Sequence, residues 1–122
     1  MRIAGFGFRK AADIAALRDA LVAAGGAGGI SAIATIADKA EAPPLQALAR
    51  ELGVPLIALP LDRVEGLATP SHSARVEAQF GVGSVAEAAA LVAAGDGARL
   101  IAPRAVSANG MAVAAIAEGF PK

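Results

Sequence analysis

The sequence predicts a three-layer α/β/α domain: a mostly parallel five-stranded sheet with an antiparallel C-terminal strand. Three observations carry this. Short apolar or β-branched runs alternate with longer alanine-rich stretches of helical spacing, in the order β-α-β-α-β-(α)-α-β-β. Hydrophobic residues make up 56% and charged residues 18%, which places the chain far from the disordered class. The last two strand-like runs lie too close together for a crossover helix and therefore pair as a hairpin. With 122 residues, the chain is expected to form one domain over 1–122.

The elements follow in order. Arg2–Phe8 reads as the first strand. Ala12–Ala24 sets Ile14, Leu17 and Leu21 at helical spacing, and the glycine cluster after it ends that helix. Ile30–Ile36 is β-branched and makes the second strand, followed by a polar loop over Ala37–Ala42. Pro43-Pro44 open a helix whose Leu45, Leu48 and Leu52 share one face, and Gly53 caps it. Val54–Leu59 is apolar throughout, as expected of a strand covered on both faces. Leu61–Leu67 and Ala74–Phe80 read as short helical segments around the loop Ala68–Ser73. Ser84-Val85-Ala86-Glu87 has the spacing of a capping box, in which Glu87 returns to the Ser84 N–H, and its helix runs to about Ala94. Arg99–Ala102 and Met111–Ala117 complete the sheet, with Asn109-Gly110 as the turn signal between them.

Composition excludes several functions. Eleven basic and eleven acidic residues cancel, and aromatics stand at 3% without Trp or Tyr, so a nucleic-acid surface with stacking platforms is not expected. No cysteine and one histidine, His72, leave no basis for a disulfide framework, thiolate chemistry or a metal site, and no cofactor is expected. The uncharged run Ala20–Ala37 is long enough to raise a spanning helix, but four glycines within Gly25–Gly29 break it, so no membrane association is expected. Ile3–Phe8 is too short for a signal-peptide core and is followed at once by Arg9-Lys10, which points to the cytoplasm.

Open α/β sheets bind ligands at the carboxyl ends of their strands. That rule gathers Gly7–Lys10, Ala37–Glu41, Pro60–Arg63 and Pro103–Arg104, each carrying charge in a chain where charge is scarce. Gly5-x-Gly7 begins like a dinucleotide fingerprint, yet Lys10 stands where the third glycine belongs. Its glycines read as a tight strand-to-helix turn. Gly81-Val82-Gly83-Ser84-Val85-Ala86 fits the looser G-x-G-x-x-A pattern without a preceding strand. It reads as a capped helix start, or as a helix terminus at Ser84 that receives an anionic group. Lys39 is placed to bind an anionic substrate group, with Asp38 or Glu41 orienting it or handling protons. His72 reads as an exposed loop residue, and Ser107 and Asn109 as loop-shaping. The candidate binding residues are thus Arg9, Lys10, Lys39, Glu41, Ser84 and Arg104. Of these, Arg9, Lys39 and Arg104 are expected to converge, with Asp38 and Glu41 as local counter-ions. No catalytic residue is assigned.

A series of segments then resembles a known family. They are Gly5-x-Gly7-x-Arg9, Ala34-Thr35-Ile36-x-x-Lys39, Leu48-Ala49-x-x-Leu52-Gly53-Val54-Pro55-Leu56, Thr69-Pro70-Ser71, Ser84–Leu91, Leu100–Arg104 and Met111–Ala114. In order and spacing they are similar to the CobE/CbiG C-terminal domain family of cobalamin (vitamin B12) biosynthesis, over nearly the whole chain. The resemblance implies a three-layer α/β domain acting on the corrin-ring pathway, in its stand-alone CobE-like form of the aerobic route. It implies a precorrin or corrinoid tetrapyrrole as ligand and other enzymes of the pathway as partners. The family often has Cys at the position of Phe8, Asp at that of Ala37, Glu at that of Ala42 and Lys at that of Arg104. A general acid or base at Ala37 or Ala42 is therefore excluded here, while the basic positions keep their charge. The expected function is binding of the tetrapyrrole, as accessory or carrier. The alternatives are a CbiG-like lactone or C–C hydrolase, and a module that docks on pathway methyltransferases.

Overall fold

The computed structural model describes residues 1–119. It comprises β1 (Arg2–Phe8), α1 (Ile14–Ala24), β2 (Ile30–Ile36), α2 (Ala37–Ala40), α3 (Pro43–Leu52), β3 (Leu56–Leu59), α4 (Leu61–Val64), α5 (Ala74–Phe80), α6 (Val85–Ala94), β4 (Arg99–Val106) and β5 (Ala112–Glu118). The five strands lie in the order β3-β2-β1-β5-β4. β1, β2 and β3 are parallel neighbours, and β5 is antiparallel to both β1 and β4. The α/β sheet with an antiparallel last strand is thus the architecture the sequence predicts.

Capping residues set the helices. The Asp13 carboxylate accepts from the Ala16 N–H at 2.9 Å and starts α1, two residues later than the apolar spacing suggests. Pro43 and Pro44 occupy the first turn of α3, and Gly53 closes it in the left-handed conformation. Ala37–Ala40 forms one helical turn, α2, where the sequence suggests a loop. The run Ala20–Ala37 divides between α1, the glycine turn, β2 and the start of α2, and among the described residues no single helix is long and apolar enough to cross a membrane.

Two layers of helix cover the sheet. On one face α1 and α3 contribute Leu17, Leu21, Leu45 and Leu48 against Phe6 and Ile33. Each large side chain buried in this way contributes about 1.5–3 kcal/mol. On the other face α6 lays Ala86, Ala89 and Ala90 against β1. A Cβ on Gly5 would sit 2.0 Å from the Ala86 carbonyl oxygen and 2.6 Å from the Ala90 nitrogen. Gly5 therefore lies within β1 to admit the helix backbone, and the turn role suggested by its spacing does not apply. Gly7, also inside β1, is less confined: a Cβ there would meet the Val113 side chain at 3.2 Å and that of Val85 at 3.6 Å.

Three strand details differ from the sequence reading. β3 is an edge strand that starts at Leu56, with Ala58 exposed, so apolar composition did not mean coverage on both faces. Pro55 lacks an N–H and takes part only through its carbonyl, which accepts from Ile33. β4 continues through Pro103 and Arg104 to Val106, because an edge strand tolerates proline where its ladder is interrupted. The turn between β4 and β5 is held by Ser107, whose Oγ donates to Asn109 Oδ1 at 2.7 Å and accepts from the Ala112 N–H at 3.1 Å.

Candidate functional site

β2 and β3 continue outward from one side of β1, whereas β5 and β4 lie on its other side. The chain reverses its winding at β1, and at that point the ends of neighbouring strands leave a crevice. A cavity of about 650 Å³ opens there. Its walls come from Gly7–Lys10 at the end of β1, Asp38 and Lys39 in α2, the start of β5 at Met111–Val113, and the helix entry Gly83–Val85. α5 closes the side with Arg75, Val76, Gln79 and Phe80.

The charge of the crevice is one-sided. Arg9, Lys10, Lys39, Arg75 and Arg104 line it together with a single carboxylate, Asp38. Among the described residues none of these five cations stands in a salt bridge. Arginines elsewhere do pair: Arg2 and Arg99 with Glu118, at 3.4 and 3.6 Å, and Arg18 with Glu51 at 2.5 Å. Neither Asp38 nor Glu41 forms a salt bridge with these cations; of the two expected counter-ions, Asp38 acts on Lys39 through its charge and Glu41 lies outside the crevice.

Lys39 is the cation at the apolar wall. Its Nζ donates to the Phe8 carbonyl oxygen at 2.5 Å and lies 4.9 Å from the Phe8 ring centre and 5.5 Å from that of Phe80. The two rings stabilise the ammonium through their negative faces. Burial holds its pKa below the ordinary lysine value, the Arg75 charge lowers it further, and Asp38 partly opposes both. Arg9, Lys10, Arg75 and Arg104 are exposed at the rim.

Of the six residues proposed from sequence, Arg9, Lys10, Lys39, Ser84 and Arg104 line the crevice, and Glu41 does not. Glu41 is the exposed residue that caps the C-terminus of α2. Pro60–Arg63 is also absent from the walls. β3 feeds directly into α4, whose Leu61 and Val64 pack under α6. His72 lies outside the crevice and approaches Glu77 at 2.6 Å through Nε2.

The Ser84 hydroxyl accepts from the Glu87 N–H at 3.2 Å, the forward half of a capping box. The return half is missing, and this corrects the sequence reading. Glu87 is completely buried, and its carboxylate accepts from the Ser71 N–H, the Ser71 hydroxyl and the Arg104 N–H, each at 2.8 Å. The two glycines of the G-x-G-x-x-A stretch serve the backbone. Gly81 caps α5 at a positive φ, and a Cβ on Gly83 would meet Ser71 O and Thr69 Oγ1 at 2.9 Å.

Sequence reasoning missed Arg75, Phe80 and the setting of Glu87. Nothing local marks Arg75, an exposed charge on a short helix that touches the core only through Val76 and Phe80. Glu87 did carry a signal. It is the lone charge between Glu77 and Asp96, on a helix apolar on every side, and such a charge must be buried.

Comparison with known proteins identifies the family and the fold. The family model for the cobalamin synthesis G C-terminus matches residues 2–117. The crystal structure of CobE, a protein from the cobalamin (vitamin B12) biosynthetic pathway, is 31% identical with a TM-score of 0.80, over 96% of this chain and 92% of that one. The cobalamin biosynthesis protein chiG from Agrobacterium tumefaciens str. C58 is 34% identical with a TM-score of 0.73, over 99% and 100%. A cobalamin biosynthesis protein G homologue from Sulfolobus solfataricus shares the fold at 19% identity and a TM-score of 0.72, with 37% of that longer chain covered. No curated protein matches the sequence. A match across nearly the whole chain, joined to two solved relatives above 30% identity, makes this chain a member of the cobalamin synthesis G C-terminus family, the CobE/CbiG group of cobalamin-biosynthesis proteins.

Proposed function

We propose that the crevice binds a precorrin or corrinoid tetrapyrrole, and that the protein serves the aerobic, CobE-like route as an accessory or carrier. One observation carries the reading: five cations and one carboxylate line a cavity of about 650 Å³, and none of the five is paired among the described residues. Such macrocycles carry acetate and propionate carboxylates around an apolar ring. Arg9, Lys10, Arg75 and Arg104 supply charge-assisted hydrogen bonds at the rim, where guanidinium groups take carboxylates in bidentate fashion. Phe8, Phe80, Val85, Met111 and Val113 offer the apolar surface, with Lys39 between the two rings.

The grouping also bears on the hydrolytic alternative. Water activation needs a base beside the substrate, and Asp38 is the sole carboxylate among the lining residues. The cations dominate, which favours binding over turnover. Exposure of the rim suits transfer of the ligand to other enzymes of the pathway in the cytoplasm.

An absorbance titration with cobyrinic acid, a corrinoid with free side-chain carboxylates, tests this. Its methyl ester serves as the uncharged comparator. Binding of the acid, weakened by salt and lost with the ester, supports the reading. Equal binding of both, or of neither, overturns it. Release of a new product from the acid would move the assignment to the hydrolase.

A further inference from the structure

We infer that Glu87 is a positioning residue that sets the cationic crevice, holding Arg104 and the segment leading to Arg75 in place through one buried carboxylate. The inference rests on the reading of the crevice as an anion site. It begins with the sheet. Ala102 pairs with Ile116 and Ala105 with Ala114, so β4 spends one more residue than β5 across Pro103-Arg104. This extra residue is a bulge, and bulges next to binding sites re-aim the side chain they carry. Pro103 has no N–H to offer, and the Arg104 N–H leaves the ladder to donate to Glu87 Oε2 at 2.8 Å. Without that acceptor the Arg104 amide would face the body of the protein unpaired, which a fold does not tolerate cheaply.

The same carboxylate reaches the other wall. Oε1 accepts from the Ser71 N–H and Oε2 from the Ser71 hydroxyl, both at 2.8 Å. Ser71 lies just before α5, and the Ser73 N–H donates to the Gly83 carbonyl at 2.9 Å. Gly83 has no side chain, so the loop rests directly on the entry to α6. α5 buries no residue fully and rests on the core only through the half-buried Val76 and Phe80, which leaves Arg75 to be placed by the segment before it. Glu87 thus ties a bulged edge strand and a lightly packed helix to α6, the best buried helix of that face.

Glutamine cannot replace this arrangement. Both carboxylate oxygens accept from backbone N–H groups, so an amide turned either way sets its NH2 against one of them. For Glu87→Gln, affinity for cobyrinic acid should fall about tenfold. In an Arg104→Ala background the further loss should shrink to about twofold or less, whereas in an Arg9→Ala background it should remain near tenfold. Amide hydrogen exchange supplies a readout independent of any ligand. The Ser71 and Arg104 amides should be protected in the wild type and exchange rapidly in Glu87→Gln, with β5 unchanged. An equal loss of affinity in every background would mean general loosening and would overturn the inference, as would Arg104 and Ser71 amides that stay protected. If cobyrinic acid does not bind the wild type, the reading of the crevice fails, and the exchange measurement still decides the clamp. If Glu87→Gln does not fold, Ser71→Ala removes one donor of the three. Its loss of affinity should vanish in an Arg75→Ala background, and an unchanged loss there would count against Glu87.

Discussion

The two faces of the sheet are packed on different principles. α1 and α3 meet it through Leu17, Leu21, Leu45 and Leu48, large side chains that fill space and can adjust. α6 meets it through alanines and Gly5, backbone against backbone, with a Cβ on Gly5 lying 2.0 Å from the Ala86 oxygen. The second face is the one whose helix entry borders the crevice. Close approach brings the first turn of α6 down onto the end of β1, so Ser84, Val85 and the buried Glu87 enter or support the crevice. The first face holds the fold together; the second sets where the cations stand.

The contrast can be broken most severely at Gly5. Gly5→Ala forces α6 off β1, since the obstructing atoms are backbone and cannot rotate away. It should cost more than about 4 kcal/mol or prevent folding, as read from chemical denaturation. A cost below that of a leucine truncation would show that α6 moves freely. On the other face Leu45→Ala leaves a cavity beside Leu48 and should cost about 2–4 kcal/mol in the same experiment. Its ligand affinity, measured on the folded fraction, should stay close to wild type.

How much of this could be read from sequence depends on how local each signal is. α3 and the start of α6 are written in single residues: Pro43-Pro44 and Gly53 for one, Ser84 for the other. The hairpin of β4 and β5 follows from a connection too short for a helix. β3 misled because apolar composition is the same for a central strand and for an edge strand with a short exposed stretch. Pro103 looked like a strand end, although an edge position lets the strand run past it. At the site, Arg9, Lys10, Lys39 and Arg104 are brought together by the rule of strand ends. Arg75 depends on how a long crossover folds back, which no spacing encodes. Glu87 fits S-x-x-E equally well as a cap or as a clamp, and only the tertiary contacts with Ser71 and Arg104 separate the two.

Smaller changes sharpen the comparison. Ser84→Ala removes the cap of α6 and should cost about 1 kcal/mol of stability. If affinity for cobyrinic acid falls instead while stability holds, Ser84 serves the ligand directly. The smallest effect concerns pH. Lys39 is held below its ordinary value of 10.5 by burial and by Arg75. Its charged form therefore weakens the fold at neutral pH, and this cost is relieved as pH rises through the folded-state pKa towards 10.5. Wild type should gain stability relative to Lys39→Met over that alkaline window, in paired denaturation curves. Ligand affinity should run the other way and weaken as the ammonium is lost. A flat difference between the two proteins would show that Lys39 is solvated as freely as any surface lysine.

The most direct measurement is a binding titration with cobyrinic acid across wild type and the single variants Arg9→Ala, Lys39→Ala, Arg75→Ala and Arg104→Ala. Arg50→Ala, on the exposed side of α3, serves as control. Each crevice variant should lose about 1.5–3 kcal/mol where its bond to the carboxylate is shielded from water, and less at the open rim. Arg50→Ala should bind as wild type does. Equal affinities for all six proteins would contradict the account.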